Sequence, residues 1–295
     1  MPRSIRFFIH NRWNRAACEG ETGTVIGFSG EQTGYEADLT QTIALAERWR
    51  SPGLPGAYIS ADLGAGYRLG AVCLVKCNLS RVGLFRVQVG NTSDFSTNLY
   101  DSGWGTRRRY YSDAEIIAAH TSEFFTAGLP ISDMQKRIQR QVIVVAFPAE
   151  VTARYIRIDF DDVTNPDGFM ELSYVYAGIV LEPSNDLLYG WKMQREDFVR
   201  DGQAACGQYW SASVYNKTLI TLQMAPQRES DLTGYWMLME ALVSINKEFI
   251  VSLIERTDSL HYTTTVYGRW SVVPTNTAIA FQSYSIPMAV EEIID

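Results

Sequence analysis

Histidine is scarce: the 295-residue chain has three, His10, His120 and His261. They lie far apart and none belongs to a His-Glu-x-x-His pair, which argues against a zinc hydrolase. Cysteine is scarce too, and four residues are too few for a disulfide scaffold. Cys73 and Cys77 sit on one predicted strand, roughly 13 Å apart and beyond bridging distance. Buried thiols are therefore expected. No apolar run approaches the ~20 residues of a membrane helix. Positive charge falls short of negative, 26 Lys+Arg against 33 Asp+Glu, for a net charge of −7. Duplex-binding proteins usually carry the opposite balance, so neither nucleic acid nor membrane insertion is expected.

Signatures of catalysis are missing as well. There is no phosphate-cradling Gly-x-x-x-x-Gly-Lys-Ser/Thr loop and no Gly-x-Ser-x-Gly elbow. The run Gly64-Ala65-Gly66-Tyr67-Arg68-Leu69-Gly70 has the look of a dinucleotide loop, but its last glycine comes one residue late. The adjoining stretch, Ala71 to Lys76, reads as a strand, where a dinucleotide site needs a helix. Asp159, Asp161 and Asp162 cluster in sequence, yet a hard-cation site needs six to eight oxygens that this stretch does not gather. They are read as a strand end followed by a solvated turn through Asn165-Pro166-Asp167-Gly168. No pair of carboxylates stands out for glycoside hydrolysis. The expectation is a non-enzyme with no cofactor and no metal.

What is present is apolar alternation: 46% of the residues are hydrophobic. Leu84 to Gly90 puts Phe85, Val87 and Val89 on one face and Arg86 and Gln88 on the other. Thr152 to Phe160 alternates in the same way around Ile156 and Ile158. Further strands are predicted at Ser4–Asn11, with Phe7 and Ile9 on one face, and at Ala57–Leu63, Leu69–Cys77 and Leu172–Leu181, with Gly64-Ala65-Gly66 as a turn. Short strands without intervening helices predict a mostly β protein. Ile59, Val72, Leu74, Val87, Ile156 and Ile158 are the predicted core. The excursion at 103–142 holds a helix-like stretch, Asp113 to Phe125, and a basic stretch, Ser132 to Gln141. After Glu182-Pro183-Ser184-Asn185 the pattern restarts. The division reads as 1–32 for the N-terminal strand and linker, 33–183 for a sandwich and 184–295 for a β-barrel-like unit. The last unit carries one helix, Asp231 to Asn246, capped by Ser230.

The sandwich resembles the discoidin family, a galactose-binding-like jelly roll. Four fragments carry the resemblance, in the family's order: Asp38-Leu39-Thr40 with Trp49-Arg50-Ser51; Tyr58-Ile59-Ser60-Ala61-Asp62-Leu63-Gly64; Phe85-Arg86-Val87-Gln88-Val89-Gly90-Asn91; and Ala153-Arg154-Tyr155-Ile156-Arg157-Ile158. They cover Thr33 to Gly178. The chain departs from the family at Tyr58, where a tryptophan is usual, and in the 103–142 insertion. Trp49 is read as filling the mouth of the sandwich with its indole N–H paired, and Asp62 as accepting backbone donors at its strand end.

The layout of a sandwich plus a barrel with one helix resembles tailed-bacteriophage tail-tip proteins, nearest to distal tail proteins. That resemblance implies a virion structural protein made in the host cytoplasm, assembled as a homo-oligomeric ring and docked to other phage tail proteins. Trp191, Trp210, Trp236 and Trp270 would supply apolar contact surface. The alternative is a carbohydrate-binding module for host-surface glycans. Its candidate residues are Tyr35, Trp49, Arg50, Trp104, Tyr110 and Tyr111, with Trp49 and Trp104 equally readable as packing. Arg107-Arg108-Arg109 beside the two tyrosines reads as a solvated loop or an ion-paired subunit contact.

Overall fold

The computed structural model describes residues 5–14, 25–80, 83–106, 142–188, 190–203, 209–243, 247–254, 264–280 and 283–294. The first part holds β1 (Arg6–Ile9), β2 (Val25–Phe28), β3 (Trp49–Arg50), β4 (Tyr58–Cys77), β5 (Leu84–Gly90), β6 (Asn98–Asp101), β7 (Gly105–Thr106), β8 (Val142–Asp161) and β9 (Glu171–Leu181). The second holds β10 (Lys192–Gln203), β11 (Tyr209–Gln223), β12 (Gln227–Arg228), β13 (Phe249–Ser252), β14 (Thr265–Val272), β15 (Thr277–Ala280), β16 (Ser283–Ser285) and β17 (Pro287–Glu292). Every pairing is antiparallel. The main sheet runs β10-β11-β17-β14-β13-β1-β9-β4-β8-β5-β6, with β2 on β4, β3 on β9 and β7 on β5, and β12-β16-β15 form a small separate sheet. The chain is a mostly β protein.

The hairpin of β4 and β8 makes the sandwich. Predicted as two strands with a turn, 58–77 is one strand with a bulge. Its pairing to β8 jumps between Asp62 and Tyr67 and again between Leu69 and Ala71. Gly64 takes φ +82° there, a conformation glycine reaches without strain. A bulge bends a strand where a turn would reverse it. The front section (Ile59, Ala61, Leu63, Ile156, Ile158, Val87, Val89) and the back section (Leu69, Val72, Leu74, Ile143, Val175, Ala177) therefore face one another across a single core. All six predicted core residues are in it and are fully buried. Cys73 and Cys77 are buried, unbridged thiols on the same strand, and burial pushes the Cys73 thiol well up.

The N-terminal strand lies in the middle of the sheet. Phe7 opposes Leu181 on β9 and Val251 on β13. Its alternation puts Phe7 and Ile9 into the second core and Phe8 onto the opposite face with Tyr176. The strand exits through Asn11, whose amide donates to the Tyr174 hydroxyl and to Val175 O, both at 2.8 Å. The Tyr174 hydroxyl donates onward to Glu248 Oε1 at 2.7 Å. A buried polar chain of this kind fixes register because each member would be costly to leave unpaired.

The second part does not close into a barrel. Among the described residues β10 pairs only with β11, and β11 with β17, so the sheet ends on an open edge. β10 and β11 run past β17 as a two-stranded ribbon, and the far edge of β13 is taken by β1, so β10 has no edge there to close on. The core of this part is covered by a helical run: an α turn at Glu229–Asp231, a π segment at Leu232–Trp236 and an α-helix at Met237–Leu242. Its start is two residues earlier than predicted. Arg228 holds the cap position, and the Asp231 carboxylate accepts the Arg228 N–H at 3.4 Å and the Ser184 hydroxyl at 2.6 Å. Trp236, Met239 and Val243 are its buried face. Trp236 and Trp270 pack inside against Phe7 and do not supply external contact surface. Trp191 is partly buried against the same core, and the Trp210 side chain lies outside the described residues.

Candidate functional site

One end of the sandwich gathers the starts of β4, β5 and β9, the end of β8, and β3 and β7. Tyr35, Trp49, Arg50 and Trp104 all lie there, in different environments. Tyr110 and Tyr111, the three preceding arginines and both stretches of the insertion lie outside the described residues.

Adjacent residues of β3 point to opposite faces, so Trp49 faces the core and Arg50 faces out. Trp49 is fully buried, its indole N–H donates to Gly30 O at 3.1 Å, and its ring lies 6.3 Å from Phe160. The paired indole read from the sequence is present, but no ring face is left for a ligand, so Trp49 is removed from the candidate platform. Arg50 stacks over Tyr35 at 3.8 Å and over Phe169 at 4.7 Å. Its Nε donates to Glu171 Oε2, while Arg48 donates to Glu171 Oε1, both at 2.6 Å. The guanidinium is a fixed strut between two rings, and one face of Tyr35 is taken up by it.

Trp104 is different. It is half exposed on the β6–β7 loop, and that loop is fastened. The Ser102 hydroxyl accepts the Val87 N–H at 2.9 Å, Ser102 N–H donates to Val87 O at 2.9 Å, and Gly103 N–H donates to Asp101 Oδ1 at 2.9 Å. An aromatic ring is thus held in water on a loop with little freedom left.

Beside it lies a polar tract on the outer face of the front sheet. Asp101 opposes Gln88, Gln88 opposes Arg157, and Arg157 opposes Ser60; Arg86 opposes Asp159, which opposes Tyr58. Arg86 grips Asp101 with both Nε and a terminal nitrogen. Arg157 donates to Asp159 Oδ1 at 2.8 Å and lies 4.1 Å over the Tyr58 ring. Alternation placed Arg86 and Gln88 on this face. The register that brings Arg157, Asp159 and Tyr58 beside them spans about 70 residues of chain and leaves no local signal. At the bulge, Arg154 grips Asp62 bidentately at 2.7 and 2.8 Å, and Gly64 N–H donates to the same carboxylate at 2.9 Å. The backbone donor was predicted; the arginine was not.

The hydrogen bonds from Arg86 and Arg154 hold the carboxyls of Asp101 and Asp62 below the usual carboxylate range. A depressed folded-state value means that these groups stabilise the fold above the unfolded value and lose that contribution as pH falls through the folded one. The urea midpoint is therefore expected to decline on acidification below about pH 4, and Asp62→Asn to flatten part of the decline.

The turn after β8 is a correction. Asp162 is buried, not solvated. Its carboxylate accepts Ser80 N–H at 2.5 Å, the Ser80 hydroxyl at 2.6 Å and the Asn165 amide at 3.3 Å. With three donors spread over both oxygens, it is an anchor for the loop. Among the described residues no group of three or more His, Cys, Asp or Glu is placed to hold a metal ion.

No family model and no curated protein matches the chain. Among solved structures it is similar to the family 32 CBM from C. perfringens NanJ in complex with galactose, at 10% identity over 60% of this chain and 99% of that one, TM-score 0.38. It is similar to a mutant of the lectin binding domain of Lectinolysin complexed with Lewis b, at 15% identity over 57% and 94%, TM-score 0.35. It is also similar to chitosan-binding module 1 of a chitosanase/glucanase from Paenibacillus sp., at 17% identity over 57% and 98%, TM-score 0.35. The fold assignment itself rests on the strand order and the shared core of β4, β5, β8 and β9.

Proposed function

We propose that this chain is a carbohydrate-recognition protein whose sandwich presents a glycan site at the end that carries Trp104. The carrying observation is the half-exposed Trp104 on a fastened loop, three residues along the chain from the Asp101 that Arg86 grips. A sugar offers an apolar ring face and a rim of vicinal hydroxyls. The indole covers the first, and a carboxylate paired with a guanidinium supplies both an acceptor and donors for the second. Fixed polar groups orient a ligand without an ordering cost at binding. Tyr35 and Arg50 stand at the same end as supporting contacts. The reading assigns no catalysis to the chain.

Glycan-array and calorimetric binding test this. Trp104→Ala and Arg86→Ala are each expected to lower affinity for a bound glycan at least tenfold, the size of one lost anchor at about 1.4 kcal/mol, with the thermal midpoint retained in Trp104→Ala and lowered slightly in Arg86→Ala by loss of the pair with Asp101. Unchanged binding in both variants would overturn the proposed site, and binding to no glycan would overturn the function.

A second reading, a ring-forming structural protein of a phage tail tip, is favoured by one observation. The β10–β11 ribbon extends beyond β17 and exposes Phe198, Tyr209 and Tyr215. Under it, residues 184–295 contact neighbouring copies head to tail and dock other tail proteins.

A further inference from the structure

Edge strand β10 reads Arg195-Glu196-Asp197-Phe198-Val199-Arg200-Asp201 at its centre. Its side chains there are exposed, apart from a half-buried Glu196. Along the chain, Phe198 opposes Tyr215 and Val199 opposes Ser213 on β11. The extra residue therefore belongs to β11, and β10 itself keeps an unbroken alternation. Among the described residues nothing pairs with its outer side, so a row of N–H and C=O groups faces outward for this whole length.

The charges are self-complementary. With a second β10 laid antiparallel and Phe198 opposite Phe198, Arg195 faces Asp201 and Glu196 faces Arg200. A two-fold axis repeats both, giving four cross-strand pairs of opposite sign. Shifting the register in any direction spoils this. Centring on Asp197 sets Asp197 against itself, and centring on Val199 sets Asp197 against Asp201. The two half-step registers set Arg195 against Arg200 or Glu196 against Asp201. Like charges directly opposed are destabilising, so the sequence selects a single register. At that register Phe198, already stacked on Tyr215 at 4.4 Å between centroids, meets its own copy on the axis.

We propose that β10 pairs with β10 of a second copy of this chain, forming a two-fold dimer in which the main sheet runs continuously through both subunits. This inference does not depend on the glycan reading, which concerns the opposite end of the sheet.

Sedimentation of the full-length chain, from low concentration up to about 100 µM, tests it. The unaltered protein is expected to dimerise. Arg195→Asp and Asp201→Arg are each expected to weaken the dimer by roughly tenfold or more, since each opposes like charges twice. Arg195 lies opposite the neutral Thr218 on β11. Asp201 accepts the Tyr209 hydroxyl within the ribbon, so Asp201→Asn, which opposes no like charge, is the control for that lost contact and is expected to weaken the dimer less than Asp201→Arg. An equimolar mixture of the two variants is expected to dimerise again, because every opposed pair in the mixed dimer regains opposite sign. The double variant Arg195→Asp/Asp201→Arg is expected to dimerise alone. A monomeric unaltered protein at the highest concentration would overturn the proposal. So would a dimer or ring indifferent to the single changes, or a mixture and a double variant that both stay monomeric.

Discussion

Trp49→Ala is expected to destabilise the protein by about 3–5 kcal/mol, the range for emptying a buried aromatic site. The indole is fully buried against Phe160 and is paired to Gly30 O. Its removal leaves a cavity at the mouth of the sandwich and an acceptor without its donor, and β3 is too short to close over it. Two residues of β3 pair with Glu171 and Leu172, and the hydrogen bonds of Arg50 with Gln32 and Tyr35 hold the backbone where it is, so the site cannot collapse to fill the space. Chemical denaturation checks this. A loss under about 1 kcal/mol would mean that the ring is not a core element. The contrast with Trp104→Ala separates the two tryptophans: one change is expected to cost stability, the other affinity.

Asp162→Ala is the second large effect. Three donors converge on this carboxylate: Ser80 N–H, the Ser80 hydroxyl and the Asn165 amide. Taking away the shared acceptor leaves the partly buried Ser80 donors unpaired beside an emptied carboxylate site, at about 1–3 kcal/mol for each donor. The Asn165 amide keeps a second acceptor in Asn78 O at 3.0 Å, which limits the total to about 3–5 kcal/mol. For a chain of this size that is a fall in Tm of roughly 10 °C. Calorimetry checks it, and Ser80→Ala is expected to give a smaller fall because the backbone N–H of residue 80 keeps its acceptor.

Alternation carried most of the fold. Val87, Ile156 and Ile158 were placed inside by period two alone, and the Trp49 indole was correctly given a partner. Asp62, Asp101 and Asp162 show where such reading stops. Asp62 reads as a carboxylate at a strand end and Asp162 as one in a turn, Asp101 carries no local signal at all, and each takes hydrogen bonds that fix its place. Asp62 is gripped from position 154, Asp101 from position 86 and Asp162 from position 80. Pairings across tens of residues depend on register, and register is decided by the whole sheet. The bulge at Gly64 misled for a related reason, since glycine marks a turn and a bulge alike. Trp104 was singled out from sequence. The polar tract beside it was not, because Arg157, Asp159 and Tyr58 belong to strands whose order along the sheet no local pattern records.

The position of β1 has a consequence for synthesis. Residues 6–9 are synthesised well before their partners, residues 179–181 and 250–252. Until β9 is made this strand, apolar at Phe7, Phe8 and Ile9, has no partner, and its other flank then waits for β13. Once β9 has emerged, the sandwich can form around the β4–β8 hairpin, but the sheet stays divided until residue 252 is free. Contacts that wait on so long a loop make folding slow, and an unpaired strand flank in the interval invites association with other nascent chains. The nascent chain is therefore at greatest risk in this interval, and a chaperone that shields residues 6–9 would act at the vulnerable point.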